Sequence, residues 1–156
     1  MKKVLLSLLA LTALANAQTA APSKLEFQDV EVTAPVSVTN FPFYPIGNVG
    51  EVEVPLLATD AAGKGVAGAS IEWTLTNSGK NPVYVMAAWN NGQQKRLKIT
   101  IKAGDKASTS SITDGEGKTK LLLNATEAAQ AKIAAKSGAL EAKNLRGAAH
   151  QVDWIK

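Results

Sequence analysis

Few side chains in this sequence could carry out a chemical reaction. There is one histidine, His150, and no cysteine, so nucleophilic catalysis by a Ser-His-Asp or Cys-His arrangement would depend on that histidine alone. His150 lies in the polar stretch Ala148-Ala149-His150-Gln151, where we expect it to be exposed to solvent. The 13 acidic residues are dispersed, and their spacing does not select the carboxylate pair that glycoside hydrolysis needs. We predict no catalytic residue, no enzymatic activity and no cofactor.

Carboxylates in two loops are the remaining candidates for a metal site. The motif T-D-x-x-G-K occurs at residues 59–64 and again at 113–118, and it places Asp60, Asp114 and Glu116 in loops. Calcium needs about six to eight oxygen ligands, whereas each loop offers at most two carboxylates. An Asp that opens a turn accepts hydrogen bonds from the backbone two residues further on, and the Gly supplies a positive φ. We interpret both copies as turns that each join two antiparallel strands, and we predict no metal site.

Aromatic residues are the best candidates for binding a partner. Phe41, Phe43 and Tyr44 lie close together in a Pro-rich connection, Asn40 to Pro45, which cannot form a regular central strand. Rigid exposed rings make good anchors for a partner protein or a sugar ring. The alternative is that these rings fold over one end of the domain as a hydrophobic plug, since large exposed apolar patches are uncommon on monomers.

Two tryptophans complete the set of predicted binding residues. Trp89 either shares an exposed face with Arg96 and Lys98 or packs in the core. Trp154 belongs to an alternating apolar pattern in the tail, residues 146–156. The tail either docks on its own sheet as a final strand or adds to the sheet edge of a partner. We favour docking within the molecule.

The N-terminal residues have the pattern of a cleaved signal peptide. Two lysines precede an almost unbroken apolar run, Val4 to Leu14, and Ala15-Asn16-Ala17 supplies the small-x-small pattern before a cleavage site. The run is shorter than the roughly 20 apolar residues that a membrane-spanning helix needs. We predict that residues 1–17 are removed and that residues 18–156 are exported without a membrane span, to the periplasm, the cell surface or the medium.

The charge of the exported part does not indicate a nucleic-acid partner. The sequence has 17 basic and 13 acidic residues, and removal of Lys2 and Lys3 leaves 15 against 13, a net charge of about +2. The basic residues are scattered, without the block of like charges typical of nucleic-acid or anionic-membrane binding. With no cysteine for a disulfide, the domain must be held together by packing alone.

Alternation of apolar and polar residues predicts about eight strands. An N-terminal strand begins at Leu25, contains a bulge, and continues to Val38. The next strand contains Pro55, which indicates a sheet edge or a bulge. Trp73 is central in the half-buried strand that follows. The strands after the first are expected at residues 51–58, 69–76, 83–89, 94–102, 108–113, 118–124, 131–136 and 139–145.

The dipeptide Asn91-Gly92 predicts a tight hairpin, because both residues accept the left-handed conformations of a type I′ turn. With a two-residue loop, Met86 pairs with Leu97 and faces the core, while Val85 and Trp89 face solvent. A three-residue loop would bury Val85 and Trp89 instead. We slightly favour the two-residue loop.

Local signals conflict in one segment. Residues 126–136 have good helix propensity, with Thr126 as a cap and Gly138 as a stop. Ile133 is the only large apolar residue there, so an amphipathic helix would have little to bury. We predict a short helical corner at residues 126–129, then a strand, a turn at 137–138 and a last strand.

Short strands, the lack of a long helix and an early central Trp predict an antiparallel β-sandwich of about seven to nine strands. Four successive patterns also resemble the bacterial immunoglobulin-like domain, group 1, of the invasin and intimin type. They are Leu57-Ala58-Thr59-Asp60-x-x-Gly63-Lys64, Val66-Ala67-Gly68-Ala69-x-Ile71-x-Trp73, Thr113-Asp114-x-x-Gly117-Lys118-x-x-Leu121-x-Leu123 and Ala131-x-Ile133-x-Ala135. The resemblance covers roughly residues 49–145. It implies that the first T-D-x-x-G-K turn closes the connection between strands B and C, and that the second precedes strand E.

We therefore predict a single immunoglobulin-like domain over residues 18–156, in which residues 18–48 supply an N-terminal strand and the aromatic connection. The resemblance implies adhesion or assembly at the cell envelope. We expect non-covalent binding of an envelope or extracellular protein. The rival hypothesis is a carbohydrate-binding module that holds a polysaccharide on exposed aromatic rings.

Overall fold

Twelve β-strands make up a computed structural model of the protein, which describes residues 21–29, 31–32, 44–46, 50–144 and 150–154. The strands are β1 Lys24–Phe27, β2 Glu31–Val32, β3 Tyr44–Ile46, β4 Gly50–Thr59, β5 Ser70–Asn77, β6 Val83–Asn90, β7 Gln93–Ile101, β8 Lys106–Ile112, β9 Lys118–Ala125, β10 Ala129–Ser137, β11 Leu140–Glu141 and β12 His150–Trp154. The predicted all-β class is confirmed. The predicted signal peptide and most of the aromatic connection lie outside these residues. Within them, no helix is long and apolar enough to cross a membrane.

The strands form one hydrogen-bonded sheet that folds back on itself. A first half-sheet has the order β1-β4-β9-β6-β7, with β2 also beside β4, and a second half-sheet has the order β8-β5-β10-β12-β3, with β11 beside β10. A single parallel pair, Asn90 with Ile112, joins the two halves on one side. On the other side, the Phe27 N–H donates to the Lys143 carbonyl oxygen at 2.9 Å. The sheet is therefore nearly closed.

The hydrophobic core lies between the two half-sheets. Alternate residues of each strand face inward, as in β5, where Ile71, Trp73 and Leu75 are fully buried. This confirms the predicted half-buried strand with a central Trp. Phe27, from the first half-sheet, packs against Trp73 of the second, with ring centroids 6.2 Å apart.

The tail docks within the molecule, as we favoured. β12 pairs antiparallel with β10 and parallel with β3, so it is an internal strand of the second half-sheet. This pairing places His150 opposite Ile133 and turns the imidazole into the core, where it is 1% exposed. The expectation of a solvent-exposed histidine is wrong, because the polar stretch around His150 opens a core strand.

Both copies of T-D-x-x-G-K form the predicted turn. In each, the aspartate Oδ1 accepts two backbone N–H bonds at 2.9 Å, from the residues two and four positions later. The glycine has φ +81° in Gly63 and +80° in Gly117. The turn-forming role of Asp60 and Asp114 is confirmed.

The strands that flank these turns, however, lie in different half-sheets. The first turn connects β4 to β5 and the second connects β8 to β9, and neither pair of strands forms a ladder. The predicted hairpins are therefore wrong, because each strand buries one face and the two meet across the core. Thr113 ties the two crossings together, since its hydroxyl donates to the Val66 carbonyl oxygen at 2.6 Å and accepts from the Ala69 N–H at 2.8 Å.

β6 and β7 form the predicted hairpin with a two-residue loop, in which Asn91 has φ +49° and Gly92 has φ +77°. A bulge interrupts the ladder at Met86, where two residues of β7 lie opposite one of β6. Beyond the bulge the faces are exchanged, so Val85 is fully buried and Met86 is 37% exposed. The predicted burial of Met86 is wrong, because the bulge shifts the register by one residue. Trp89 lies between the bulge and the loop, where the predicted register holds, and its side chain is on the outer face.

The predicted helical corner is also wrong. Residues 126–128 form a bend, and β10 then runs from Ala129 to Ser137 as a strand. β10 lies between β5 and β12, and it buries Ala129, Ala131, Ile133 and Ala135. Pairing on both sides and burial of small side chains outweigh helix propensity, which is a weak preference. In the described part of the strand predicted at residues 139–145, only the two residues of β11 form a strand.

The predicted N-terminal bulge is confirmed. Phe27 pairs with Leu56 and Val32 pairs with Val52, so the chain gains one residue relative to β4 between β1 and β2. Pro55 faces this interruption, where its carbonyl oxygen accepts from the Gln28 N–H at 3.0 Å. The missing N–H of Pro55 therefore falls at a break in the ladder.

Candidate functional site

The predicted binding residues that the structure describes do not form one site. Trp154 is 1% exposed, and its indole N–H donates to the Gly50 carbonyl oxygen at 2.9 Å. It is a core residue and cannot contact a partner in this fold. Tyr44 belongs to β3, and its backbone pairs with Val152. Phe41 and Phe43 lie outside the residues that the structure describes.

Trp89 is the predicted residue that lies on an open surface feature. Its half-buried side chain lines a groove of about 470 Å³ on the outer face of the first half-sheet. The groove runs from β4 across β9 to the tip of the β6–β7 hairpin, and the second T-D-x-x-G-K turn forms one end. Its lining residues are Gln28, Pro55, Leu56, Leu57, Trp89, Gly92, Asp114, Lys118, Thr119 and Lys120. We call this feature the Trp89 groove.

Lys120 covers one part of the Trp89 ring. Its ammonium lies 4.6 Å from the ring centroid and 2.5 Å from the Glu53 carboxylate. The registers explain both contacts, because β9 pairs with β6 on one side and with β4 on the other. A cation over an indole contributes about 0.5–1 kcal/mol at a partly exposed site. The ion pair and the ring together hold Lys120 in place.

The backbone of Trp89 is anchored to the core from below. The Thr119 hydroxyl donates to the Trp89 carbonyl oxygen at 2.8 Å and shares a hydrogen bond with the Ser111 hydroxyl at 2.9 Å. The indole N–H of Trp73 donates to the same Ser111 oxygen at 2.7 Å. This buried chain of hydrogen bonds runs from the centre of the core to the groove, so the backbone at Trp89 is bonded to the core.

The rim of the groove carries charges of both signs. The Asp114 carboxylate accepts backbone hydrogen bonds within the turn. The Lys118 ammonium pairs with the Glu116 carboxylate at 2.7 Å in the exposed part of the same turn. The hydrogen bond to the Glu116 carboxylate raises the pKa of Lys118. Each rim lysine therefore has a carboxylate partner. The groove combines an apolar wall, made by Pro55, Leu57 and Trp89, with a polar and nearly neutral rim.

The described residues hold no group of three or more His, Asp or Glu side chains placed to bind a metal ion.

His150 stacks on Phe27, with ring centroids 4.1 Å apart and planes inclined by 5°. Burial lowers the pKa of His150 to about 4. The Trp89 groove is lined by both apolar side chains and polar groups.

Sequence reasoning missed most of the groove. Leu57, Lys118 and Lys120 each read as ordinary outward positions of a strand. They meet Trp89 because β9 lies between β4 and β6, and alternation along one strand carries no information about its neighbours.

No family model matches the chain, and no curated protein matches it. Among solved structures, the chain is similar to a conjugative transposon lipoprotein from Bacteroides eggerthii, with 14% identity, 86% of this chain and 99% of that chain covered, and a TM-score of 0.40. It is also similar to the ASH/PapD-like domain of human CEP192, with 12% identity, 86% of each chain covered and a TM-score of 0.30.

Proposed function

We propose that this protein is an exported, non-enzymatic immunoglobulin-like domain that recognises a partner protein at the cell envelope or outside the cell. The observation that carries the proposal is the Trp89 groove, a concave site with an apolar wall and a floor that is hydrogen-bonded to the core. Binding sites are typically concave and apolar with a few fixed polar groups. The sequence pattern of residues 1–17 supports export.

We further propose that the fold is an immunoglobulin-like β-sandwich, related to the invasin and intimin type. Two features support this. Two half-sheets enclose one core, and both T-D-x-x-G-K turns carry the chain from one half-sheet to the other, as connections between the sheets of a sandwich do. The parallel pair of Asn90 with Ile112 then represents a local contact between the edges of two sheets.

The ligand of the groove is better sought among proteins than among polysaccharides. Sugar rings stack on a free aromatic face, whereas the Trp89 ring already carries the Lys120 ammonium. Glu53 holds that lysine in place. An apolar side chain of a partner protein can instead enter between Trp89 and Leu57, with its polar neighbours reaching the rim.

The test uses Trp89→Ala, with Tyr84→Ala as the matched control. Tyr84 is also a half-buried aromatic residue on the outer face of β6, but it lies outside the groove. The purified proteins are immobilised and exposed to an envelope extract of the source organism. We expect the wild type and Tyr84→Ala to retain the same specific protein, and Trp89→Ala to bind it at least about tenfold more weakly.

Equal retention by all three proteins would contradict the role of the groove. Retention of a polysaccharide in place of a protein, with loss in Trp89→Ala, would establish the carbohydrate-binding alternative instead.

A further inference from the structure

Among the strands that the structure describes, the nine-residue strand β7 lies at an edge. It pairs with β6 on one side, and no strand of the described chain pairs with its other side. β8, which follows it, pairs with β5 and reaches β6 only at Ile112. The two half-sheets therefore separate along a seam between β7 and β8. The outward N–H and C=O groups of such an edge are a template for another strand.

The side chains along this edge are strongly cationic. Lys95, Arg96 and Lys98 are exposed on β7, Lys102 follows in the turn, and Lys106 opens β8. Between residues 93 and 106 the only acidic side chain is Asp105. None of the four ion pairs among the described residues involves these five cations. Within the described residues, therefore, no carboxylate forms an ion pair with the cations of this edge.

The inner side of the seam is apolar. Leu97 and Ile99 on β7, and Ala107 on β8, are partly buried and pack against the core. They form the rim of the core where the half-sheets separate. A strand added at β7 would cover them with its inward side chains, because successive side chains of a strand point to opposite faces.

We propose that β7 binds an extended acidic segment of a partner protein as an additional strand. Apolar residues of that segment alternate inward, over Leu97 and Ile99. Its Asp or Glu residues alternate outward, beside Arg96 and Lys98. Main-chain hydrogen bonds supply the pairing, and charge complementarity selects the partner and speeds its association. This surface is distinct from the Trp89 groove.

The same charges disfavour a second copy of this chain as the occupant. Two β7 edges paired with each other would place Arg96 and Lys98 of one copy beside the cations of the other, and like charges on neighbouring strands repel. A neutral or basic strand gains no ion pairs either. An acidic strand is the occupant that the edge attracts.

The test measures binding of a fluorescein-labelled nine-residue peptide of alternating Val and Glu to the purified protein by fluorescence anisotropy. The matched probe is the alternating Val and Lys peptide. We expect the Val-Glu peptide alone to bind, with an affinity that falls as salt is raised, because exposed ion pairs are screened. Hydrogen exchange should slow at the amides of β7 when the peptide is bound.

The variant Arg96→Glu/Lys98→Glu is expected to weaken binding of the Val-Glu peptide by about tenfold or more. Lys132→Glu is the control for charge reversal away from the edge, since Lys132 is exposed on β10 in the second half-sheet. It should bind as the wild type does. Equal binding by the double variant, protection away from β7, or self-association of the protein through β7 without peptide binding would each overturn the proposal.

Discussion

At the scale of the residue, Gly117 has a different role from its counterpart Gly63. Both occupy the same position of the same turn, with φ +80° and +81°. A Cβ added to Gly63 would meet nothing within 4 Å, whereas a Cβ on Gly117 would lie 2.3 Å from the Ala58 carbonyl oxygen and 2.7 Å from the Val66 nitrogen. The second turn packs on the start of the first, where the Ala58 N–H donates to the Gly117 carbonyl oxygen at 2.8 Å.

Substitution of the two glycines by alanine should therefore have unequal effects. Gly63→Ala places an alanine in the left-handed conformation, which should lower the unfolding free energy by about 1–2 kcal/mol. Gly117→Ala has the same conformational cost and must also displace neighbouring backbone, so we expect the unfolding free energy to fall by more than about 3 kcal/mol. Urea denaturation of the two variants measures the difference. Equal losses would show that the second turn does not pack as described.

The conformation of these residues could be predicted from the sequence, and their surroundings could not. Asp and Gly determine a turn through hydrogen bonds that span four residues, so the sequence alone predicts the turns at Asp60 and Asp114. The contact of Gly117 with Ala58 joins segments far apart in the chain. Trp89 is a candidate from its residue type alone. The position of Lys120 over its ring depends on the pairing of two strands, which the sequence does not show.

At the scale of the element, the bulge at Met86 decides which face of β6 enters the core. The Asn91-Gly92 loop sets the register up to Ala87, and the bulge then exchanges the two faces. Alternation alone assigns Met86 to the core and Val85 to solvent. The structure has the reverse, with Val85 fully buried and Met86 37% exposed.

Substitution at these neighbouring positions separates the two registers. Met86→Lys should change the unfolding free energy by less than about 0.5 kcal/mol, since it is a surface substitution. Val85→Lys buries a charge and should prevent folding. Val85→Ala remains informative where the lysine variant does not fold, and it should lose about 1–3 kcal/mol. Thermal unfolding provides the comparison. A Met86→Lys variant less stable than Val85→Ala would favour the register without the bulge.

Strand positions were predictable because apolar alternation is a local property, as in β5. Strand neighbours were not. β10 has the composition of a helix, yet it forms a strand because β5 and β12 bond it on both sides. β8 and β9 flank a hairpin-like turn but lie in different half-sheets. Each strand buries one face, and the two faces meet across the core.

At the scale of the whole molecule, contacts across the core join the two half-sheets into one unit. Phe27 of the first packs on Trp73 and His150 of the second. From the second half-sheet, the Trp154 indole N–H donates a hydrogen bond to the backbone of β4 at Gly50. A second set of hydrogen bonds links Trp73 of the second half-sheet to Trp89 of the first through Ser111 and Thr119. We expect the halves to unfold together, so a change at His150 reports on the stability of the entire domain.

Acid should therefore destabilise the whole domain through His150. Burial lowers its pKa from 6.5 to about 4, so the unfolded chain takes up a proton below pH 6.5 that the folded protein excludes until about pH 4. Above pH 6.5 His150 has no effect; between these values stability falls, by about 3 kcal/mol in all, and below pH 4 this loss stays constant. His150→Phe keeps a ring on Phe27 and removes the titration. Urea unfolding of both proteins from pH 7.5 to pH 4 should give curves that diverge as pH falls, with the wild type losing more. Parallel curves would place His150 in contact with water.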